Sequence, residues 1–250
     1  MLRTYDTLLD DMSAPKVPRQ QKVTVQVMMI NESKTRKKIA EAFLSLAKTT
    51  RIDKITVSQI IEASGKSRKA FYYNFQDRNQ LIIWIFRREL GLALTQNVSN
   101  SNTTLTYEDT PSFTSQYPYY IRHKSGIRSL DHSMFFELFW EVLLMRQAFY
   151  TAVLCPGNGG VEFFRDYLFS LYYPALYDDI EYMLSGRYLD NNSIQRLAMV
   201  GTGGFIDCYI RNLQQDRSPS KPTIHLDNIV HDLLFLGLDH EASGRRRPLL

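Results

Sequence analysis

Residues 56–75 read TVSQIIEASGKSRKAFYYNF, and the fold turns on how this stretch divides. Thr56-Val57-Ser58-Gln59 has the form of a capping box, in which a hydroxyl accepts from the third helical N–H while a Gln side chain reaches back. Val57, Ile60 and Ile61 then make the buried face of a short helix that stops at Ser64-Gly65. Glycine is the usual residue where the backbone turns left-handed after a helix. Ser67 caps a second short helix running to about Asn74. Two helices joined by a glycine turn form a helix-turn-helix arrangement. Neither is long enough to stand alone, so its neighbours must supply the burial.

Those neighbours are legible. Residues 33–49, SKTRKKIAEAFLSLAKT, place Ile39, Ala40, Phe43, Leu44 and Ala47 on one stripe with lysines opposite. Asp77, with Gln80 three residues on, caps a fourth helix carrying Leu81, Ile82, Ile85, Phe86 and Leu90 to about Gln96. Residues 97–117 are rich in Ser, Thr and Asn and read as a loop or mobile insertion. Helical patterns follow at 134–154, 161–184, 193–215 and 224–238, with no strand alternation or hairpin signal. The expected fold is all-α. A mostly disordered arm (1–32) precedes a helix-turn-helix domain (33–80), a larger helical domain (81–240) and a loose basic tail (241–250).

Charge divides along the same lines. Residues 1–90 carry 17 Lys/Arg against 9 Asp/Glu, and residues 91–250 carry 13 against 17, within an overall net charge of +4. A basic front and an acidic back point to a polyanion-binding module on a larger domain with other work. A helix entering a DNA major groove needs small or polar residues at its leading edge, cations for phosphates and an apolar back. The second short helix offers all three. Arg68, Lys69 and Tyr73 are the candidate base readers, and Lys66, Ser67 and Tyr72 the candidate positioning contacts. Ala70, Phe71 and Asn74 fall toward the core or its edge. The plainer alternative is a solvated basic face over core aromatics.

Residues 34–82 resemble the DNA-binding domain of the tetracycline-repressor (TetR-type) family of transcriptional regulators. The resemblance is carried by Thr56-Val57-Ser58-Gln59-Ile60-Ile61, Ala63-Ser64-Gly65-Lys66-Ser67, Phe71-Tyr72-Tyr73-Asn74-Phe75 and Arg78-Asn79-Gln80-Leu81. With Trp84-Ile85-Phe86 following, it is nearest the branch that includes regulators of dihydroxyacetone metabolism. Asn74 stands where that family commonly has histidine, Ala70 where threonine is common, Lys66 in place of an apolar turn residue and Arg78 in place of lysine. The resemblance implies double-stranded DNA with a palindromic operator as partner, contacted by Thr56, Lys66, Ser67, Arg68, Lys69, Ala70, Tyr72, Tyr73, Asn74 and Arg78. It also implies a homodimer, a small-molecule effector and, as the expected sign, repression. A member acting through protein–protein contacts without DNA is the alternative.

The remaining features fill in the larger domain. Aromatics crowd residues 134–182, and Phe139, Trp140, Phe163, Tyr167 and Tyr209 are candidate walls of an effector pocket, with Glu137, Arg165 or Tyr209 as polar handles. Gly201, Gly203 and Gly204 inside a helical pattern mark either a close helix–helix interface or a helix break. Asp178-Asp179 reads as surface charge. The five histidines have no ligand spacing with Cys or carboxylates, and no nucleophile elbow, phosphate loop or HExxH occurs, so neither metal, cofactor nor catalytic residues are expected. Two cysteines far apart, no long apolar run and no secretory pattern lead to the expectation of a cytoplasmic, non-membrane protein.

Overall fold

The structure, a computed structural model, describes residues 33–98, 102–155, 162–183 and 190–214. The expected arm, the helix at 224–238 and the basic tail lie outside the described residues. In chain order the elements are α1 (Lys34–Leu46), a short 3-10 helix (Ile52–Lys54), α2 (Val57–Ser64), α3 (Arg68–Asn74) and α4 (Arg78–Asn97). Three strands follow, β1 (Thr103–Thr106), β2 (Tyr120–Gly126) and β3 (Ser129–Asp131). The chain then forms α5 (Ser133–Met145), α6 (Gln147–Leu154), α7 (Glu162–Met183) and α8 (Asn191–Gln214). The protein is mostly helical, as the sequence pattern indicates.

Every cap in the first module is made as the sequence spells it. Ser33 accepts from the Arg36 N–H, the Thr56–Gln59 box closes in both directions, Ser67 accepts from the Ala70 N–H, and Asp77 accepts from the Gln80 N–H. Gly65 ends α2 at φ +60°, the left-handed conformation that glycine adopts without a Cβ penalty. Ile39, Ala40 and Phe43 of α1, Ile60 of α2 and Phe71 of α3 close the small core between them.

α4 joins this module to the rest, and it has almost no solvent side. Leu81, Ile82, Trp84, Ile85, Phe86, Leu90 and Leu94 are buried, and so are Arg87 and Glu89. Its apolar run from Leu81 to Phe86 covers every side of the helix, as expected of a helix placed inside a protein. Ring contacts run through it: Phe71 to Phe75 at 6.1 Å, Phe75 to Trp84 at 5.9 Å and Trp84 to Tyr117 at 6.3 Å.

Two expectations are corrected and one alternative is removed. The stretch read as a loop contains β1, which pairs antiparallel with β2, and β2 pairs with β3 in a three-stranded sheet of order β1-β2-β3. The strands escaped notice because Tyr120, Ile121 and Arg122 are buried in succession, so no alternation marks them. The helix expected over 134–154 is two helices, breaking at Arg146 (φ −131°, ψ 49°). At that break Arg146 Nε donates to Glu89 Oε1 at 2.5 Å, and the Tyr150 hydroxyl donates to Glu89 Oε2 at 2.7 Å, joining the bend to α4. Finally, α8 runs unbroken through 201–204, which removes the helix-break alternative. A Cβ at Gly203 or Gly204 would meet nothing within 4 Å, so no close approach within the described chain accounts for either glycine.

Gly91 is different. A Cβ there would lie 2.7 Å from Tyr117 Cβ and 3.1 Å from the Pro118 carbonyl oxygen, a contact that requires backbone to move. Gly91→Ala should therefore lower stability by about 1–3 kcal/mol, an overpacking cost. Chemical denaturation of the two proteins checks this, and equal midpoints would contradict the close approach.

Candidate nucleic-acid interface

α3 is seven residues long and is oriented by what it buries. Phe71 is fully inside, edge-on to Tyr72 at 5.4 Å, and Phe75 just beyond the helix is inside as well. With that side fixed, Arg68, Lys69, Tyr72 and Tyr73 emerge on the other, Tyr73 being 87% exposed and Tyr72 46%. The Arg68 guanidinium lies over the Tyr72 ring at 5.5 Å, a cation–π arrangement. Lys66 in the turn is half-buried, and Ser67 at the cap is exposed. Among the described residues no ion pair engages Lys66, Arg68 or Lys69. Three cations and a projecting phenol thus share one face, while the helix is held from behind by rings.

The remaining candidates are placed closer to the frame. The Thr56 hydroxyl accepts from the Gln59 N–H at 3.3 Å and donates to Gln59 Oε1 at 3.0 Å, on an exposed helix start. Ala70 is half-buried, and Asn74 Nδ2 donates to the Ala70 carbonyl at 2.7 Å. Arg78 is half-buried. Its Nη1 donates to three carbonyls, Ile52 at 2.7 Å, Asp53 at 3.1 Å and Ile55 at 3.0 Å. The guanidinium ties the start of α4 to the 3-10 helix, satisfying backbone acceptors that lie more than twenty residues earlier.

The candidate pocket aromatics form two groups either side of Phe86 of α4. Tyr209 meets Phe139 at 5.0 Å and Trp140 at 5.5 Å, and its hydroxyl donates to the Phe136 carbonyl at 2.9 Å. Phe163 and Tyr167 flank Phe164, at 6.1 and 6.0 Å. Phe86 lies 5.7 Å from Phe139 and 5.5 Å from Phe164. Of the expected handles only Tyr209 is interior, since Glu137 is exposed and Arg165 pairs with Asp207 at 2.5 Å on the surface. The buried Trp140 Nε1 has no partner among the described residues and is a further interior donor. An open groove of about 750 Å³ lies elsewhere, between residues 47–52 and α6, with Lys48, Arg51, Gln147 and Thr151 in its lining.

The reading of Asp178-Asp179 as surface charge fails at Asp179, which is fully buried. Its Oδ2 accepts from the Tyr120 hydroxyl at 2.6 Å and lies 2.8 Å from His132 Nε2, while Oδ1 pairs with Arg122. Burial would raise this carboxyl, but the His132 contact, the Arg122 charge and the Tyr120 hydroxyl hold it below the ordinary range. A charge adjacent to another in sequence gives no sign of such a site, because its three partners come from β2 and the start of α5. No group of His, Cys, Asp and Glu among the described residues could hold a metal ion.

The chain was compared with known proteins. No family model matches it. Over 63 residues, 25% of this chain, it is 33% identical to the HTH-type dhaKLM operon transcriptional activator DhaS of Lactococcus lactis subsp. lactis (strain IL1403). That match spans about a third of the relative's length, 34%. Among solved structures, the Dihydroxyacetone kinase operon activator DhaS aligns over 83% of this chain and 96% of its own, with a TM-score of 0.48 and 16% identity. Both named relatives are transcription regulators rather than enzymes. No helix of the described residues is long and apolar enough to cross a membrane.

Arg78→Met should lower stability by about 1–2 kcal/mol by leaving the half-buried carbonyls of Ile52 and Ile55 without a donor. Arg68→Ala, on the open face, should stay within about 0.5 kcal/mol of the parent. Parallel urea titrations separate them, and an equal loss in both would remove Arg78 from the frame. A second prediction concerns pH. Burial pushes the Asp178 carboxyl up to about 6, with Arg122 opposing and Asp179, Glu181 and Asp109 adding repulsion. The folded state therefore favours protonated Asp178, a contribution present below the ordinary value of 3.8 and lost as pH rises through 6. Melting curves between pH 4 and 7.5 should show Asp178→Asn gaining on the parent up to about pH 7 and level above it. A constant difference would contradict the shift.

Proposed function

We propose that this chain is a sequence-specific DNA-binding transcriptional regulator of the tetracycline-repressor type, with residues 33–80 as its DNA-binding domain and residues 81–240 as its regulatory and dimerisation domain. The carrying observation is α3, pinned from behind by Phe71 and Phe75 while Arg68, Lys69 and Tyr73 are exposed on the outward face. The similarity to a regulator over a quarter of the chain supports the same reading. Arg68, Lys69 and Tyr73 read bases, and Thr56, Lys66, Ser67, Tyr72 and Arg78 hold phosphates, with Ala70 and Asn74 at the edge of the contact.

A single recognition helix of seven residues covers too few base pairs for a unique site, so the protein acts as a homodimer on a palindromic operator, its half-sites about one helical turn apart. The exposed side of α8, with Val200, Gly203 and Gly204, supports a second copy packing there. The effector is a small molecule held in the regulatory domain, whose binding changes the separation of the paired recognition helices. Repression, the expected sign, draws no support from a relative named as an activator, and the proposal is of a regulator of either sign, acting in the cytoplasm.

Selection of bound fragments from a random DNA pool tests this directly. A palindromic site is expected, and recovery of no sequence above background at low salt would favour a protein-binding role instead. With the selected duplex, Lys66→Gln should weaken binding to every sequence and reduce the salt slope by about one. Arg68→Ala should cost about 1–3 kcal/mol at particular base pairs and relax discrimination there. Uniform losses in both variants would defeat this division of roles.

A further inference from the structure

Arg87 lies in the middle of α4 with no exposed surface. A buried guanidinium requires both a counter-charge and acceptors for its donors. Its Nη2 donates to the Tyr117 carbonyl at 2.6 Å, its Nη1 donates to the Tyr167 hydroxyl oxygen at 3.1 Å, and the Tyr119 ring stacks at 5.2 Å. The counter-charge is Glu108, whose Oε1 is 2.5 Å from Nη1. Two donors in this neighbourhood have no partner among the described residues, Arg87 Nε and the fully buried Tyr172 hydroxyl.

Glu108 is a different kind of residue from the one it neutralises. It belongs to the irregular stretch 107–119 between β1 and β2, and its side chain is 21% exposed. Its carboxylate is held on the other side by hydroxyls of the same stretch, Ser112 Oγ and Thr114 Oγ1. The carboxylate thus rests in a cradle of one helix-borne guanidinium and two hydroxyls. That donor set recognises a small oxyanion through charge-assisted hydrogen bonds, whichever molecule supplies it. The aromatic walls, Tyr119, Tyr167 and Tyr172, leave the cation desolvated and so strengthen such a contact.

We propose that Arg87 is an internal receptor for the carboxylate or phosphate group of a small effector, and that Glu108 is a built-in occupant which that ligand displaces. This deepens the effector-controlled reading above and rests on it. Displacement has a physical route to the DNA-binding module, because the stretch that carries Glu108 also holds α1. The Phe113 carbonyl accepts from Arg36 Nη1 at 3.2 Å, and Tyr117 packs on Trp84 and against Gly91. Releasing Glu108 therefore loosens a strap that spans α1 and α4. Linkage then requires DNA and the anion to alter each other's affinity by the same factor.

The test removes the occupant and supplies anions from solution. Glu108→Ala vacates a space the size of a carboxylate beside a buried cation. Melting of this variant is followed in potassium acetate, potassium phosphate and potassium chloride at matched ionic strength. Chloride should leave it destabilised, whereas acetate or phosphate should restore the midpoint saturably, the better of the two identifying the headgroup chemistry. The parent should show the same preference with an apparent affinity about tenfold or more weaker, since Glu108 competes at high effective concentration. If Glu108→Ala does not fold, Glu108→Gln keeps the shape without the charge and should show the same anion response. The double variant Arg87→Met with Glu108→Gln should respond to acetate and phosphate no more than to chloride. The proposal is overturned if neither single variant responds to acetate or phosphate, or if the double variant responds equally. It is overturned too if the variant is rescued while the parent shows no response, which would make Glu108 a fixed structural partner. In gel shifts with the selected duplex, the effective anion should change parent affinity about fivefold or more. Unchanged DNA affinity alongside clear anion binding would sink the strap. Absence of DNA binding in every buffer would count against the functional reading and leave the anion titrations to stand or fall alone.

Discussion

The structure depends on a helix that is denied water. α4 is enclosed along most of its length, so the polar groups on its buried stretch depend on partners inside the protein. Arg78 at its start gathers the carbonyls of Ile52, Asp53 and Ile55, Trp84 sits between Phe75 and Tyr117, and Glu89 draws in Arg146 and Tyr150. These contacts fix the first module, the sheet region and the bend between α5 and α6 against one common axis. Buried charges of this sort are costly when a partner is lost, which makes α4 sensitive to changes in segments far from it in sequence.

What could be read from the chain was local. Thr56, Gly65, Ser67 and Asp77 state their roles within four residues, since a cap or a left-handed turn involves only near neighbours. The outward placement of Arg68 and Lys69 followed from the apolar positions of Phe71 and Phe75. The framework role of Arg78 was not legible, for the opposite reason. Its charge suits a phosphate, and nothing adjacent reveals that the carbonyls of 52–55 need a donor. Asp179, Arg122 and His132 form a site only after β2, α5 and α7 have been brought together. β2 itself was hidden because burial on both faces erases the alternation that marks a strand.

The aromatics obey two rules in one protein. Among α5, α7 and α8 they meet mostly edge to face at 5.4 to 6.5 Å, as Phe135, Phe139, Tyr172 and Phe205 do, a geometry that fills space and sets angles. In α3 the same residue types split between an anchor and a surface. Tyr172 and Trp140 keep polar atoms without partners among the described residues inside the packing of α5, α7 and α8.

The stacking of Arg68 on Tyr72 has a consequence for how fast and how selectively that face can work. A free arginine samples many rotamers, and ordering one on contact costs about 0.5–1.5 kcal/mol. Lying over the ring at 5.5 Å, Arg68 has already given up part of that freedom before any partner arrives. Lys69 and Tyr73 have no such support. The face therefore pairs one side chain already restrained with two whose ordering would still cost entropy on any contact.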